Sequence, residues 1–224
     1  ASGQTAIEVR VSDGSKTVDV TVPITVSVNS WTDYAASSFA GGTGTGSNPY
    51  QISNESQLAY LAQLVNNGTV DVVNNDEGKT YAQKAYALTQ DIDLSGHLWT
   101  AIGQDEDGLK FTGAFDGGGR SITGLHIDGA SEYLGLFGVI GENGSVRNLT
   151  LSGAAVYSED RYVGTAAGKI YSAVIENVNL NNCSLTTTGY YAGGLAGSGE
   201  GAFLINNCKV NDSTITSSSR YLGG

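Results

Sequence analysis

Apolar and polar residues alternate strictly at the start of the chain. Ile7, Val9 and Val11 form one series, and Val18, Val20, Val22, Ile24, Val26 and Val28 form a second, with the Asp-Gly of "SDGS" (12–15) between them. A period of two puts alternate side chains on one face of a strand, and Asp-Gly is a strong hairpin turn, so residues 1–30 are predicted to form a β-hairpin with one apolar face. The period then changes. In "SNESQLAYLAQLVNNG", Leu58, Leu61, Ala62 and Val65 fall at i, i+3, i+4 and i+7. That is one face of an amphipathic helix. Ser53 or Asn54 can cap its start, Gln57 is the capping-box partner of Asn54, and Gly68 suits its end. One helix near 55–67 is expected, followed by a polar, irregular stretch over 69–84.

From Tyr133 onward the pattern repeats. Tyr133, Tyr162, Tyr191 and Tyr221 are separated by 29, 29 and 30 residues, and Asn148, Asn177 and Asn207 by 29 and 30. The apolar pairs Leu149/Leu151, Val178/Leu180 and Cys208/Val210 keep step, and Ile122, Leu125 and Ile127 fit an earlier, shorter unit, 24 residues from Leu125 to Leu149. A period of this length means stacked supersecondary units. Helical units are excluded, because no repeat holds an apolar stretch at helical spacing and each is rich in Gly, Asn and Thr. Runs such as "VRNLTL" and "IENVNL" read as short strands. Three strands with turns, at about 3.3 Å per residue, make one coil of roughly this length. Stacked coils pair each strand with its own copy in parallel sheets around a narrow apolar interior. Identical residues recur because each must sit over its copy. Asn148, Asn177 and Asn207 are expected to turn the chain in left-handed geometry and to hydrogen-bond between coils. Leu136, Phe137, Leu195 and Ala196 should fill the interior or one wall, and the four tyrosines should stack. The helix caps the first coil, whose backbone groups would otherwise stay unpaired.

Composition agrees. The chain has 224 residues, 40% of them hydrophobic, with 32 Gly and 2 Pro, as many tight turns between short strands require. Twenty-two acidic against 11 basic residues give a net charge of −11, which argues against nucleic acid and anionic membranes. No 18-residue apolar window exists for membrane insertion. Cys183 and Cys208 make no disulfide framework and are read as small buried apolar residues. The chain opens without a leader and stops at "RYLGG", partway through a fourth copy. It is therefore expected to be part of a longer exported protein, or its open end is expected to contact another molecule.

The first thirty residues, "DGSKTVDVTVPITVSVN" in particular, resemble the last hairpin of a bacterial immunoglobulin-like or cadherin-like module. "GLFG" at 135–138 and "GLAG" at 194–197, with "TAAG" at 165–168 as a degenerate copy, resemble the GLUG motif of bacterial surface proteins. The leader phrases "FAGGTGTGSNPYQISNESQLAYLAQLVN", "YALTQDIDLSGHLWTAIG" and "FTGAFDGGGRSITGLHID" extend that resemblance over about residues 31–224. It implies an all-β chain: a right-handed parallel β-helix with one capping helix over 31–224, after the hairpin that ends a preceding module. It also implies an exported, cell-surface, often multidomain protein, with further modules of the same chain on both sides. Such modules also occur in immunoglobulin A1-cleaving metallopeptidases, whose catalytic domain lies elsewhere. No catalytic residue is implied for this region.

The residues themselves offer little catalytic chemistry. His97 and His126 are the only histidines, and no His-Glu-x-x-His, Gly-x-Ser-x-Gly or phosphate-loop motif occurs. His126, between Leu125 and Ile127, should face solvent. The enzymatic alternative is polysaccharide cleavage, which needs paired carboxylates or a Ca²⁺ site with a base. Asp91 with Asp93, Asp116 with Arg120, and Asp105-Glu106-Asp107 are its candidates. Asp91 and Asp93 alternate with Ile92 and Leu94 and should face outward. The acidic loops at 104–110 and 74–79 are read as solvated; Asp105 and Asp107 are the Ca²⁺ candidates, and no other metal or cofactor is expected. The suggestive surface feature is the tyrosine file, with Arg161, Tyr190 and Arg220 preceding its three later members. It serves either as a structural ladder or as a platform for a glycan or host protein. The Ser/Thr runs at 186–188 and 213–219 are too irregular for an ice-binding array. The expectation is a non-catalytic extracellular adhesin or stalk module, with a carbohydrate-active enzyme and an accessory region of a surface peptidase as alternatives.

Overall fold

A computed structural model describes residues 3–26, 29–72, 78–218 and 221–223. Val28, Arg220 and most of the acidic loop 74–79 lie outside the described residues. Strand β1 (Gly3–Ser12) pairs antiparallel with β2 (Thr17–Val26), joined by the predicted Asp-Gly turn, with Gly14 at φ +90°. Helix α1 runs Glu55–Asn66. Asn54 is its N-cap, its side chain accepting from the Gln57 amide at 3.0 Å. The Gln57 side chain reaches back one residue further than a capping box would, accepting from the Ser53 amide at 2.8 Å. Gly68, at φ +61°, donates to the Val65 carbonyl and Thr69 donates to Leu64, a Schellman ending. The predicted face is buried, widened by Ala59 and Leu64.

The rest is a parallel β-helix of about five coils. Strands Tyr50–Ile52, Ala85–Leu88, Ala114–Asp116, Ser145–Ser152, Val174–Asn181 and Leu204–Asn206 stack in one sheet. A second sheet stacks His126–Gly129, Ala155–Ser158, Ser184–Thr187 and Thr214–Ser217. A third has Val163–Gly164, Ala192–Gly193 and Leu222–Gly223, and a fourth Phe137–Ile140, Ala167–Tyr171 and Ala196–Glu200. The coil thus has four sheets where the sequence predicts three. The extra wall consists of two-residue strands, too short for an alternation pattern to distinguish from a corner.

Register follows the repeat. Leu149 lies on Val178 and Leu151 on Leu180, 29 residues apart, and Leu180 on Val210, 30 apart. The expected 24-residue unit is corrected. Ile122 pairs with Leu151 and Ile127 with Val156, so the spacing is 29 there too, and Leu125 sits one position before the His126–Ala155 pair, under Ala154. The error comes from the loop at Gly117–Arg120. Asp116 pairs with Arg147 and Ser121 with Thr150, so four residues lie below where two lie above. That insertion shifts the apolar pattern without shifting the coil.

The interior narrows along the axis. Near α1 it is aromatic, with Phe111 5.0 Å and Phe115 5.4 Å from Phe137, ring centre to ring centre. Above Phe137 the column continues as Ala167 and Ala196. Leu136, Phe137 and Leu195 are buried and Ala196 is half-buried. In the last coil the interior positions Ile205, Val210 and Leu222 are exposed. Cys183 is buried and Cys208 half-buried, both free and in different columns, Cys183 donating its amide to Ser213 and Cys208 following the Asn207 corner. Burial raises the Cys183 thiol pKa.

Candidate ligand groove beside the tyrosine ladder

Two of the repeated residues make continuous ladders. Asn148, Asn177 and Asn207 have φ of +53°, +54° and +49°. Each later amide donates to the one below, Asn177 Nδ2 to Asn148 Oδ1 at 2.9 Å and Asn207 Nδ2 to Asn177 Oδ1 at 2.6 Å. Asn148 Nδ2 continues the chain onto Asp116 Oδ1 at 3.0 Å. Asn tolerates the left-handed region, and its amide supplies both donor and acceptor, so one residue type serves both purposes.

The tyrosines occupy the other corner. Ring centres of Tyr133, Tyr162, Tyr191 and Tyr221 are 4.9, 4.9 and 4.7 Å apart, with planes within 3°, 6° and 5° of parallel. Carbon atoms in contact prefer about 3.5–4.0 Å, so parallel rings at these centre distances, which match the strand spacing, are offset stacks. Tyr133, Tyr162 and Tyr191 carry φ of +61°, +64° and +60°, a costly conformation for a bulky residue. The last glycine of each motif makes room for that corner. A Cβ on Gly168 would lie 2.6 Å from Tyr133 Cα and from the Tyr162 carbonyl oxygen, and one on Gly197 2.4 Å from the Val163 nitrogen. The motif glycine and the tyrosine turn are therefore one device.

Because the rings cover each other, the inner members Tyr162 and Tyr191 present edges and hydroxyls. The neighbouring column differs. Glu132, Arg161 and Tyr190 precede successive tyrosines and lie over one another, with Tyr133 N bonding to the Arg161 carbonyl and Tyr162 N to that of Tyr190. Arg161 pairs with Glu132 across the rungs and is near Asp160 at 3.7 Å. Its guanidinium lies 5.9 Å from the centre of Tyr162, and Tyr190 is half exposed. Two separate recesses open along this column. One recess of about 500 Å³ is lined by Glu159, Asp160, Arg161, Tyr190, Tyr191 and Tyr221. Another of about 590 Å³, nearer the cap, is lined by Trp99, Asp105, Glu106, Asp128, Glu132 and Tyr133 among others.

Lys169, which no pattern in the sequence singles out, lies beside the lower two rings of the ladder. Its ammonium is 6.0 Å from the Tyr133 ring centre and 5.8 Å from that of Tyr162, and bonds Asp105 at 3.3 Å and Glu200 at 3.1 Å. Asp105 also pairs with Lys110 at 3.2 Å, and Asp107 is 4.0 Å from the same lysine. Burial pushes the Asp105 pKa up, but bonds from Lys110, Tyr133 and Lys169 outweigh it and hold the carboxyl below its usual value. The same contact, added to burial, raises the Tyr133 hydroxyl far above the usual phenol range. Both Ca²⁺ candidates thus lie against Lys110, Asp105 half-buried and Asp107 fully exposed. No cluster of three or more His, Cys, Asp or Glu suited to a metal exists among the described residues.

Among the polysaccharide-cleavage candidates, Asp93 and Asp116 hold turns and Asp91 ties one coil to the next. Asp91 accepts from the Ser121 amide at 2.8 Å and Asp93 from Ser95 at 3.0 Å, and these bonds lower both pKa values. Asp116 accepts from Gly118 at 2.8 Å as well as from Asn148. His126 is exposed, as expected, and His97 stacks on Tyr34 at 4.2 Å.

A buried polar cluster lies near the first coils. Lys84 Nζ bonds Asp71 Oδ2 at 3.2 Å, with side chains 1% and 0% exposed. Tyr50 donates to the same carboxylate at 2.5 Å, and Tyr86 donates to the Tyr81 carbonyl at 2.5 Å. Phe39 packs among Tyr50, Tyr60, Tyr81 and Tyr86, with ring centres 4.6–6.2 Å away. A lysine set between Tyr81 and Tyr86 in a polar stretch was the only available hint.

No family model matches the chain. It is 40% identical over 154 residues to a protein of Evansella cellulosilytica provisionally named a Gly-rich membrane protein, covering 65% of this chain and 16% of the relative. It is 30% identical over 189 residues to halomucin of Haloquadratum walsbyi, covering 80% of this chain and 2% of the relative. The chain therefore spans a small part of either relative's length. Among solved structures, a chain provisionally assigned as an immunoglobulin A1 protease from Bacteroides ovatus matches with a TM-score of 0.50 at 16% identity, covering 82% of this chain and 74% of that one. At that identity the match speaks to the fold alone. No helix of the described residues is long and apolar enough to cross a membrane.

Proposed function

We propose that the chain is a non-catalytic, GLUG-type repeat module of a bacterial cell-surface protein. It acts as a rigid stalk whose groove beside the tyrosine file receives an extended glycan or a strand of host protein. The observation that carries this is the use of the repeated polar residues. The tyrosines stack on each other, the asparagines bond each other, and Asp91, Asp93 and Asp116 are taken up by backbone amides. A glycosidase acid needs a raised pKa, whereas Asp91 and Asp93 are lowered. A repetitive chain that matches a small part of much longer relatives fits a stalk. The groove, with Arg161 and Tyr190 on one wall, supplies a cation, carboxylates and an exposed ring in about 500 Å³. The same stalk would serve a peptidase carried elsewhere on the polypeptide.

The test pairs a glycan and matrix-protein array with an assay for products from neutral and acidic polysaccharides. The module should release no product. Captured ligand should be lost with Tyr190→Ala or Arg161→Ala and kept with Tyr162→Phe, which preserves the ladder. Product formation abolished by Asp93→Ala or Asp116→Ala would replace this reading with an enzymatic one. A blank array would reduce the module to a stalk alone.

A further inference from the structure

Among the aromatic rings of the first coils, an amine lies against a carboxyl and both are sealed from water. Lys84 Nζ is 3.2 Å from Asp71 Oδ2, with side chains 1% and 0% exposed. The Tyr50 hydroxyl donates to the same oxygen at 2.5 Å. Tyr50, Tyr81 and Tyr86 are buried, and Phe39 packs on all three. Neither Lys84 nor Asp71 lines the recesses beside the tyrosine file.

In water an amine and a carboxyl do not condense, because both are ionised and hydrated. Burial disfavours the charged forms, so a proton passed from ammonium to carboxylate leaves an amine and a carboxylic acid in contact. Burial also fixes the two groups at the spacing of a near-attack arrangement, about 3–3.5 Å, where effective concentrations reach roughly 10⁵ M or more.

We propose that Lys84 and Asp71 condense to an intramolecular amide. Nζ attacks Asp71 Cγ and a C–N bond forms. The Tyr50 hydroxyl stabilises the negative charge that gathers on Oδ2. The bond from Cγ to Oδ1 then breaks, and Oδ1 leaves as water with two protons that the ammonium brought. Oδ2 stays as the amide oxygen and Tyr50 keeps its own proton, so no oxidant or co-reactant is consumed. The product exchanges a buried ion pair for a neutral amide. Asp71 lies on the segment leaving α1, its amide donating to the Lys79 carbonyl at 2.9 Å. Lys84 directly precedes strand Ala85–Leu88, its carbonyl accepting from the Ala114 amide at 3.1 Å. The bond therefore ties the cap to the solenoid wall covalently, a tie that the two free cysteines do not make.

The test is the intact mass of the denatured 224-residue chain, with a tryptic map. Amide formation removes one water, about 18 Da. Trypsin cuts after free lysine, so it should spare Lys84 and leave residues 17–79 joined to residues 80–110 in one branched peptide. A succinimide at an Asp-Gly pair such as Asp107-Gly108 loses the same mass but leaves the cut after Lys84 intact, so the map separates the two. Lys84→Arg keeps a cation against Asp71 without a nucleophilic amine and should have its full mass. Tyr50→Phe should condense on the order of 100-fold more slowly. A folded native chain of full mass that is cut after Lys84 would overturn the proposal. So would a mass loss mapped away from Asp71 and Lys84, or one that persists in Lys84→Arg.

Discussion

Replacing Tyr162 tests both halves of the corner device, the stack and the backbone it strains. Tyr162 lies between Tyr133 and Tyr191 at 4.9 Å from each, at φ +64°. Truncating a buried aromatic costs about 3–5 kcal/mol, and each aromatic pair adds about 0.5–1.5 kcal/mol beyond burial. With a half-buried ring but two stacks lost, Tyr162→Ala should cost roughly 3 kcal/mol. Alanine keeps the left-handed penalty of roughly 1–2 kcal/mol, whereas glycine escapes it. Glycine in turn loses roughly 0.4–1 kcal/mol through the entropy of its unfolded chain. Tyr162→Gly should therefore be more stable than Tyr162→Ala by roughly 0.5–1 kcal/mol. In an ordinary strand the order is the reverse. Urea unfolding followed by far-ultraviolet circular dichroism gives all three midpoints. The reasoning is refuted if alanine equals or exceeds glycine, or if Tyr162→Ala costs less than about 1 kcal/mol.

Other expectations follow from the same geometry. Lys84→Met strips the buried Asp71 of its ammonium and should cost about 3–5 kcal/mol, while Lys84→Met with Asp71→Leu should recover part of that loss in thermal unfolding. Gly168→Ala drives a methyl into backbone atoms with no flexible side chain to yield, so its cost should reach or pass the upper end of the 1–3 kcal/mol typical of overpacking, read by the same denaturation. Burial raises the pKa values of Tyr50, Tyr81, Tyr86 and Tyr133 above the ordinary phenol, helped at Tyr50 and Tyr133 by bonds to Asp71 and Asp105. Above about pH 10 the unfolded chain binds fewer protons than the folded one, so stability present below that pH is lost as it rises, and tyrosinate absorbance should appear in two phases, the later coincident with unfolding. Asp91 and Asp93 are depressed, so their contribution is present above about pH 4 and lost as pH falls through the folded values; Asp91→Asn should flatten the acid limb of a stability profile.

What the sequence revealed was whatever the axial register forces to repeat. Tyr133, Tyr162, Tyr191 and Tyr221, like the three asparagines, must match because each touches its own copy, so their spacing announces the fold before any coordinates. The α1 cap was legible for the separate reason that capping chemistry is local. The fourth wall was hidden because Val163–Gly164 and Ala192–Gly193 are too short to alternate. The unit below Asn148 was misjudged because the Gly117–Arg120 insertion lengthens a turn and not the coil. Tyr50 sits on Tyr86 at a spacing of 36, outside the period, so the first coils carry no repeat signal. At the site, the tyrosine file was foreseen as either ladder or platform, and only the overlap of its rings shows that its faces are occupied. Lys169, Glu132 and the Asp71–Lys84 pair depend on distant segments meeting, which no local pattern records.

Everything rests on like residues lying over like, and proton nuclear Overhauser contacts among tyrosine rings test that most directly. In a deuterated chain with protonated tyrosine rings, Tyr162 should show contacts to both Tyr133 and Tyr191, and none between Tyr133 and Tyr191. Contacts from Tyr162 to neither ring, or a pattern of strand contacts pairing Leu151 antiparallel with its neighbours, would contradict the account.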